Sequence, residues 1–379
     1  MAVDFTVPRD TFRPLVEQVR KVVEKRNTVP ILGNVRIEAA QDGRLTLTGT
    51  DLDLWATATS APTCAHVHTP GGTTVPAGLL FDILRKATGE VRFADTGAGR
   101  VTLGAGRSKF TLHALPVEDF PDMSAGEASA RFTLPPAALT RIADCCSFAI
   151  SSEETRYYLN GIYLHPHEGA LVAVATDGHR LSRLAMARDN LPDFAGIIVP
   201  RKMVSLFGMM AEATKAGETV QVAIDQSRIV LEAGDLRLAS KLIDGTYPDY
   251  QRVIPKANPI TADVPREALA DAIERVTTIS SERGRGVNFA FAAETLRLSI
   301  ADPAAGSAED EIACGFPADK DLTIGFNGRY CRDALGTFTG ERMTLAMADP
   351  GAPAVLTDPA DEDRLVVLMP MRVSATGGG

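Results

Sequence analysis

The chain has 379 residues, of which 45% are apolar and 23% are charged. This composition excludes an intrinsically disordered chain, and the length predicts two or three domains. The net charge of −9 argues against a uniformly basic nucleic-acid-binding protein, because Lys and Arg supply most phosphate contacts. We find no signal-peptide core and no apolar run of about 18 residues, so we expect a soluble, cytoplasmic protein. Five cysteines without a CxxC pair predict no disulfide framework.

The predicted elements recur three times along the chain. Each repeat opens with an extended run that ends in an apolar-Pro step, at Pro8, Pro135 and Pro265, and continues into a helix. Proline suits this position because the first helical turn leaves an amide hydrogen unpaired and requires a φ that proline already has. We predict first helices over residues 9–26, 136–149 and 265–285.

Two further landmarks follow in the same order. An alternating strand ends at Asp51, Asp177 and Asp302, and a short strand then leads into a second helix. Corresponding landmarks are 124 to 130 residues apart, which indicates three copies of one structural unit. We predict the second helices over residues 78–86, 200–215 and 327–335.

The repeats predict an α+β fold with domains at residues 1–127, 128–256 and 257–373, and residues 374–379 as a disordered tail. Strands are joined by hairpin signals such as Asp42-Gly43 and are not regularly separated by helices. Antiparallel sheets with two helices per domain are therefore favoured over parallel βαβ units.

The predicted helices carry the positive charge of the chain. Residues 9–26 have a net charge of +3, the six predicted helices together have +7, and the remainder has −16. A solvated helix face explains any one of these values. Their segregation by element type favours a basic surface for phosphates, provided that the helices share one side. We find no helix-turn-helix, zinc-finger or aromatic RNA-binding signature, so readout of base sequence is not indicated.

Other candidate motifs are weak. Residues 104–110 resemble a phosphate-binding loop but lack its Gly-Lys-Ser/Thr ending, and a hairpin turn is favoured. The pairs His66/His68 and His165/His167 have no evident third ligand in the sequence, so we predict surface histidines, no metal and no cofactor.

The segment Thr176–Arg180 contains a histidine and an aspartate. In some hydrolases a histidine acts as the general base and an aspartate orients it. The corresponding turns at Asp51 and Asp302 lack the histidine, and no nucleophile motif such as GxSxG is present. We interpret the segment as a structural or ligand-contacting turn and predict a protein without catalytic residues. An enzyme acting on nucleic acid remains the alternative.

These segments resemble the bacterial DNA sliding clamps, the beta subunits of DNA polymerase III, up to residue 373. The matching motifs are TVPILGN (28–34), TGTDLD (48–53), GRSKF (106–110), RYYLNG (156–161), TDGHRL (176–181), SKLIDGTYPDY (240–250) and VVLMPMR (366–372). The resemblance implies three clamp-type domains per chain and a head-to-tail homodimeric ring with helices lining the central hole.

The resemblance also implies a function and partners. The expected activity is that of a polymerase processivity factor, which encircles duplex DNA without sequence specificity. Through short linear peptides it is expected to bind the replicative polymerase catalytic subunit, the clamp loader, and repair and translesion polymerases. A paralogue of the main chromosomal clamp shares this mechanism and remains a second alternative.

The resemblance assigns three sets of residues. The peptide-binding pocket is assigned to Leu159, Thr176, Gly178, His179, Arg180, Leu181, Pro248, Arg252, Val253, Asn327, Tyr330, Val367, Met369, Pro370, Met371 and Arg372. DNA contacts are assigned to Arg26, Arg85, Tyr157, Tyr158, Arg201, Lys202 and Arg285, with a packed pair as the alternative for the two tyrosines. The dimer interface is assigned to Phe110, Leu112 and Ile279, although Thr278 and Gly284 stand where the family usually has bulkier residues.

Overall fold

The three sequence repeats fold into the same order of elements: a strand, a helix, a group of antiparallel strands, a second helix and three closing strands. The computed structural model describes residues 3–24, 26–95, 97–123, 126–279, 286–302 and 305–373. The first repeat contains β1 (Asp4–Pro8), α1 (Arg9–Val19), β2 (Asn34–Ala39), β3 (Leu45–Thr50), β4 (Leu54–Thr59), β5 (His66–Thr69), β6 (Gly71–Pro76), α2 (Ala77–Lys86), β7 (Glu90–Asp95), β8 (Arg100–Ala105) and β9 (Ser108–His113).

The second repeat contains β10 (Ala130–Leu134), α3 (Pro136–Cys146), β11 (Gly161–His167), β12 (Ala170–Thr176), β13 (Arg180–Ala187), β14 (Ile197–Pro200), α4 (Arg201–Val204), α5 (Phe207–Ala213), β15 (Val220–Ile224), β16 (Arg228–Ala233) and β17 (Leu236–Lys241). The third contains β18 (Ile260–Pro265), α6 (Arg266–Thr277), β19 (Gly286–Ala292), β20 (Thr295–Asp302), β21 (Gly306–Ala313), β22 (Asp321–Asn327), α7 (Gly328–Leu335), β23 (Arg342–Met347), β24 (Ala354–Asp358) and β25 (Asp361–Leu368). This order confirms the predicted α+β class and the strand-to-helix steps at Pro8, Pro135 and Pro265.

The chain divides into two units, and the second repeat contributes four strands to one sheet in each. The first unit comprises Met1–Thr140 and Ser205–Leu242, and the second comprises Arg141–Val204 and the chain from Ile243 onward. The first unit contains a five-stranded sheet in the order β5-β1-β7-β8-β9 and an eight-stranded sheet in the order β10-β15-β16-β17-β4-β3-β2-β6. The second contains an eight-stranded sheet in the order β14-β11-β12-β13-β25-β24-β23-β18 and a four-stranded sheet in the order β21-β20-β19-β22.

Each eight-stranded sheet joins two consecutive repeats edge to edge. In the first unit β4 pairs antiparallel with β17, from Leu54↔Ser240 to Ala58↔Leu236. In the second unit β13 pairs antiparallel with β25, from Arg180↔Leu368 to Leu184↔Arg364. The third strand after the first helix of one repeat thus pairs with the last strand of the next repeat, and the same rule holds at both junctions.

The first helix is shorter than predicted. It ends at Val19, and the following amides of Lys21, Val22 and Val23 bond to the carbonyl three residues earlier. A Cβ on Gly49 of β3 would lie 2.6 Å from the Val19 carbonyl oxygen, so the helix end packs directly against that strand. The apolar spacing alone predicted a helix up to residue 26. A contact between the helix end and a distant strand does not affect that spacing, so the sequence did not reveal it.

Two other predicted helices also end early, which changes the charge distribution. The segment 200–215 forms two short helices, because Leu206 adopts φ −99° and ψ −1° between them, and α6 ends at Thr277. Within their observed bounds the helices of the described chain carry a net charge of +2, not the predicted +7. The basic side chains instead cluster at helix ends and in the turn after α1.

The hairpin predictions are confirmed. Gly43, with φ +84°, lies between β2 and β3. Residues 104–110 form the β8–β9 hairpin, in which Ala105 pairs with Ser108 and Gly106 has φ +58°. Both turns use glycine where the backbone enters the left-handed region.

A satellite apolar cluster lies on the second unit's eight-stranded sheet. Its buried members are Leu159, Val172, Val174, Leu181, Ile198, Tyr247, Tyr250 and Val367. Tyr247 and Tyr250 come from the segment after β17, and Tyr247 stacks on Tyr163 of β11 with ring centroids 4.7 Å apart. The hydroxyl of Tyr250 lies 3.0 Å from Nε2 of His165. This contact fastens the segment to the sheet.

The pKa of His165 is lowered from its ordinary value, chiefly because burial disfavours the charged ring, and the charges of His167 and Arg183 act in the same direction. The unfolded chain therefore binds more protons at this residue as the pH falls below about 6.5, the ordinary histidine value. We predict that the free energy of unfolding decreases from pH 7 to pH 5.5, and that His165→Gln makes this decrease smaller. Urea denaturation at several pH values measures the effect, with the exposed His66→Gln as control. An equal slope in the two variants would contradict the assignment.

Candidate functional site

A tight turn after β12 organises the predicted pocket; we name Thr176–Arg180 the Asp177 turn. One carboxylate oxygen of Asp177 accepts the amide hydrogens of His179 at 2.9 Å and of Arg180 at 3.0 Å. The Thr176 hydroxyl accepts the amide hydrogen of Gly178 at 3.1 Å and donates to the Arg180 carbonyl at 2.7 Å. The side chains of Asp177 and Thr176 are thus committed to holding the turn, as the sequence interpretation of a structural turn expected.

Arg180 is buried and has a structural role. Only 8% of its surface is exposed. Its guanidinium donates to Asp177 at 3.1 Å and to Asp333 of α7 at 2.7 Å, and it lies 4.4 Å from the Tyr330 ring centroid. A buried guanidinium requires such partners because desolvation of its charge is costly. Arg180 therefore ties the turn to α7 and is not a free cation at the rim.

Arg156 belongs to this arrangement, although the sequence analysis assigned it no role. It forms two bonds of 2.7 and 2.8 Å to Glu153, and its Nη2 donates to the Asp177 carbonyl at 3.0 Å. Gly178 has φ +88°, and a Cβ there would lie 2.6 Å from Nη1 of Arg156. Arg156 thus packs over the glycine of the turn. The only sequence signal was its place in the RYYLNG motif.

The floor of the candidate site is apolar and its rim exposes flexible side chains. Leu159, Leu181 and Val367 are at most 3% exposed and belong to the satellite cluster. Beside this floor, Val253 is 50% exposed and Met369 is 41% exposed. Exposed large apolar side chains on a buried apolar floor are typical of peptide-binding grooves, and methionine adapts to different ligands.

Backbone contacts hold the rim on the junction between β13 and β25. The amide of Met369 donates to the His179 carbonyl at 2.9 Å, and the amide of Met371 donates to the Gly325 carbonyl at 2.8 Å. Pro370 lies between them and is half-buried, whereas Pro248 and Gly178 are exposed.

Cationic and polar groups surround the apolar floor. The His179 ring stacks on Tyr330 at 5.9 Å. The Asn327 side chain caps α7 by accepting the amide hydrogens of Arg329 and Tyr330 at 3.0 and 3.3 Å. Arg252 and Arg372 are exposed, and Arg252 pairs with Asp249 at 2.9 Å. All sixteen residues assigned to the pocket thus lie in the second unit, on neighbouring elements.

The residues assigned to DNA lie at helix ends and loops. In the first unit, Arg26 is exposed in the turn after α1, and Arg85 occupies the last turn of α2 with its side chain 61% exposed. In the second unit, Arg201 begins α4 and donates to the carbonyls of Ile150 and Ser151 at 2.6 and 2.9 Å. Two of its five donors are therefore already used. Arg285 lies outside the described residues.

The two tyrosines differ in exposure. Their rings form an edge-to-face pair with centroids 5.9 Å apart. Tyr158 packs on the satellite cluster, whereas Tyr157 is 53% exposed. Lys202 follows Arg201 in α4 and is half-buried. The two tyrosines form a packed pair, which was the alternative interpretation. The exposed ring of Tyr157 is also accessible, as the interpretation as a DNA contact requires.

The residues assigned to the dimer interface lie in the first and third repeats. Phe110 is 36% exposed on the edge strand β9, and Leu112 on the same strand is 3% exposed. Ile279 follows α6 and packs partly against the core of the third repeat.

The described residues contain no cluster of three or more His, Cys, Asp or Glu side chains arranged to hold a metal. All five cysteines are described and free, and burial raises the pKa of Cys146 to about 12. A thiol in that state is a poor nucleophile. No helix in the described part of the chain is long and apolar enough to cross a membrane.

Comparison with known families matches the chain in three consecutive segments. Residues 3–124 match the N-terminal domain of the DNA polymerase III beta subunit, residues 133–249 its central domain and residues 251–372 its C-terminal domain.

Curated relatives match over the full length. A beta sliding clamp of Caulobacter vibrioides is 39% identical over 376 residues, which cover 97% of this chain and 99% of the relative. The beta sliding clamp of Escherichia coli K12 is 34% identical over 371 residues, covering 97% and 100%.

Solved structures agree with these matches. A DnaN sliding clamp from Bartonella birtlesii bound to griselimycin superposes with a TM-score of 0.93 at 39% identity, covering 98% of this chain and 100% of that one. A Pseudomonas aeruginosa DnaN clamp, also bound to griselimycin, gives 0.91 at 32% identity with the same coverage. The chain therefore belongs to the beta sliding clamp family, the beta subunits of DNA polymerase III.

Proposed function

We propose that the chain is a DNA polymerase processivity factor that encircles duplex DNA and tethers replication proteins to it. The observation that carries this proposal is the match of three consecutive clamp domains over 97% of the chain to named beta sliding clamps. Such a protein needs no catalytic residues, since topological linkage keeps the polymerase at a high effective concentration near its primer. We place the domain boundaries near residues 127/128 and 256/257.

We propose a head-to-tail homodimer on the basis of the strand edges. At both internal junctions the third strand after a first helix pairs with the last strand of the next repeat, as β4 does with β17 and β13 with β25. In the third repeat the third strand after the first helix is β21, and the last strand of the first repeat is β9; both are sheet edges, so the same rule pairs β21 of one chain with β9 of another. Because the two edges differ, this contact is heterologous, and two copies close it.

The charges of these two edges support the pairing. Strand β21 carries Glu309, Asp310 and Glu311, and β9 with its preceding turn carries Arg107 and Lys109. Oppositely charged edges favour association with each other and disfavour pairing of like edges. We assign Phe110, with Leu112 on the same strand, to one side of the contact and Ile279 to the other.

For DNA we propose weak contacts without sequence specificity. Arg26, Arg85, Arg201 and Lys202 supply cations, and the exposed ring of Tyr157 supplies a further contact. Net helix charge is only +2 within the observed bounds, so retention on DNA depends more on closure than on electrostatic affinity.

We propose that the groove around the Asp177 turn binds short linear peptides. Its apolar floor, its exposed Met369, Met371 and Val253, its polar His179 ring and its cationic Arg252 and Arg372 suit peptides with apolar anchors and acidic or polar groups. The partners we propose are the polymerase catalytic subunit, the clamp loader, and repair and translesion polymerases. The relatives are bacterial proteins, and we place the action of this chain in the cytoplasm.

Retention on DNA tests the closed ring. After loading onto a nicked circular plasmid, we predict that the protein stays bound during gel filtration at moderate salt and is lost when the plasmid is linearised. Free ends allow a sliding ring to leave, whereas electrostatic binding is equal on both forms. Equal retention on circular and linear DNA would refute the ring.

The pocket assignment is tested by Met369→Ala combined with Pro370→Ala. Truncation removes apolar contact area at the rim, and we predict about tenfold weaker binding of a polymerase-derived peptide. Fluorescence anisotropy measures the affinity, and light scattering checks that the oligomeric state is unchanged. Leu79→Ala, at an equally exposed leucine of α2, is the matched control. Unchanged peptide affinity in the double variant would remove the assignment.

A further inference from the structure

Leu52 in the first unit has a conformation and an exposure that folding alone does not explain. It is 41% exposed, and its φ is +81°. A non-glycine residue in the left-handed region is strained by roughly 1 kcal/mol or more, and strain of this kind concentrates at functional positions. A leucine retained in a strained, exposed position points to a contact with another molecule.

The turn that carries Leu52 is a structural copy of the Asp177 turn; we name Thr50–Leu54 the Asp51 turn. The Asp51 carboxylate accepts the amide hydrogens of Asp53 and Leu54 at 3.0 and 2.7 Å, and the Thr50 hydroxyl accepts that of Leu52 at 2.9 Å. The three bonds that backbone amides donate to side chains in the Asp177 turn thus recur here, residue for residue. Each turn also accepts a backbone hydrogen bond from the strand that pairs with it. The amide of Lys241, at the end of β17, donates to the Asp53 carbonyl at 2.8 Å, and the amide of Met369, just after β25, donates to the His179 carbonyl at 2.9 Å.

In this correspondence Leu52 occupies the position of Gly178. The second unit uses glycine there, with a φ of +88°, because glycine adopts this conformation without strain. The first unit therefore keeps a leucine where the fold itself is better served by glycine.

A second exposed apolar residue lies at the neighbouring position. Val29 is 46% exposed and stands five residues before Asn34, the start of β2, as Arg156 stands five residues before Gly161, the start of β11. In the second unit Arg156 packs over Gly178. By this correspondence Val29 occupies the position of Arg156 and Leu52 that of Gly178, so the first unit has two apolar side chains where the second has an arginine and a glycine.

The floor beneath these positions is duplicated as well. In the first unit Ile31, Leu32 and Phe120 are buried together, with Leu115 packed against them. The counterparts by sequence of Ile31, Leu32 and Phe120 in the second unit are Tyr158, Leu159 and Tyr247, which belong to or pack on the satellite cluster. The short sequence Phe-Pro-Asp at 120–122 corresponds to Tyr-Pro-Asp at 247–249.

The charge around this copy is reversed. Asp53 stands at the position of His179, and its side chain is 76% exposed and pairs with Lys241 at 2.9 Å. The segment around Phe120 adds exposed Glu118 and Asp119, and Asp122, whose side chain is 81% exposed, pairs with Arg36. Carboxylates therefore outnumber the basic groups on this surface, whereas His179, Arg252 and Arg372 surround the pocket of the second unit.

We propose that Leu52 and Val29, on the floor formed by Ile31, Leu32 and Phe120, form a second docking surface. The occupant we assign to it is a short linear peptide with an apolar anchor flanked by Lys or Arg. The apolar pair supplies the anchor contact, and the carboxylates select basic flanks and disfavour acidic ones. The two surfaces of one chain thus discriminate between partners by charge.

A defined probe tests the proposal on the intact protein. The probe is the capped hexapeptide Lys-Arg-Leu-Phe-Lys-Arg, and its counterpart Asp-Glu-Leu-Phe-Glu-Asp is the charge control. In protein with labelled leucine and valine methyl groups, we expect the basic probe to shift the NMR signals of Leu52 and Val29 and the acidic probe to leave them unchanged. Equal shifts by both probes, or no shift by either, overturn the proposal. Concentration-dependent shifts without any probe assign the surface to a second copy of the chain and also overturn it.

Leu52→Gly separates binding from folding. We expect about tenfold weaker binding of the basic probe, because the anchor contact is lost, and a melting temperature that is not lowered, because the strain is relieved. A clear fall in melting temperature means that Leu52 is retained for packing, and unchanged probe binding places the site elsewhere; either result overturns the proposal.

Variants of the two surfaces serve as reciprocal controls. Met369→Ala with Pro370→Ala leaves binding of the basic probe unchanged, and Leu52→Gly leaves binding of the polymerase-derived peptide unchanged. Failure of this proposal is therefore distinguishable from failure of the pocket assignment. Asp53→Asn, which removes a carboxylate and keeps the side-chain shape, is expected to weaken the basic probe severalfold and to leave the acidic control unbound. Unchanged binding of the basic probe to Asp53→Asn overturns the assigned charge selection.

Discussion

Pairing of sheet edges between consecutive repeats is the constraint on which the rest of the structure depends. An exposed edge strand leaves a row of unsatisfied backbone donors and acceptors and invites association. In this chain two such edges are covered by pairing between consecutive repeats. Strand β4 pairs with β17 and β13 pairs with β25, in the same arrangement at both junctions. Applied to β21, the third strand after the first helix of the last repeat, and to β9, the last strand of the first repeat, the rule leads to the proposed head-to-tail dimer. One backbone interaction then links repeat, chain and assembly.

The proposed peptide-binding groove lies at the same junction. The strand that crosses to the next repeat begins at the Asp177 turn, and the strand that receives it runs directly into Met369 and Pro370. The groove is therefore built where two repeats meet, on a frame fixed by backbone bonds and by the buried Arg180. The backbone part of this frame recurs at the Asp51 turn in the first unit, and on it rests the proposal of a second docking surface with a different partner.

Much of this architecture could be predicted from the sequence. The spacing of Pro8, Pro135 and Pro265 located the three repeats because proline marks the same strand-to-helix step in each. Periodicity failed to predict where a helix ends when tertiary contacts matter. Helix α1 ends at Val19, whose carbonyl packs against Gly49 of β3. No local sequence pattern encodes that contact.

The residues assigned to the pocket from the sequence lie on neighbouring elements of the second unit, but the sequence did not reveal the structural role of each. Arg180 was assigned to the peptide-binding pocket, yet its partner Asp333 lies 153 residues away, and only the fold shows that the Arg180 guanidinium is buried in this ion pair. Arg156 was overlooked because its importance comes from packing over Gly178, not from a recognisable motif. The strain at Leu52 is likewise a backbone property that residue identity does not reveal.

Closure through β9 and β21 is the central claim, and solution mass tests it most directly. Multi-angle light scattering at micromolar concentration should give twice the chain mass of 40.3 kDa, because the two oppositely charged edges pair and two copies complete the ring. A stable monomer of 40.3 kDa under the same conditions would contradict the account.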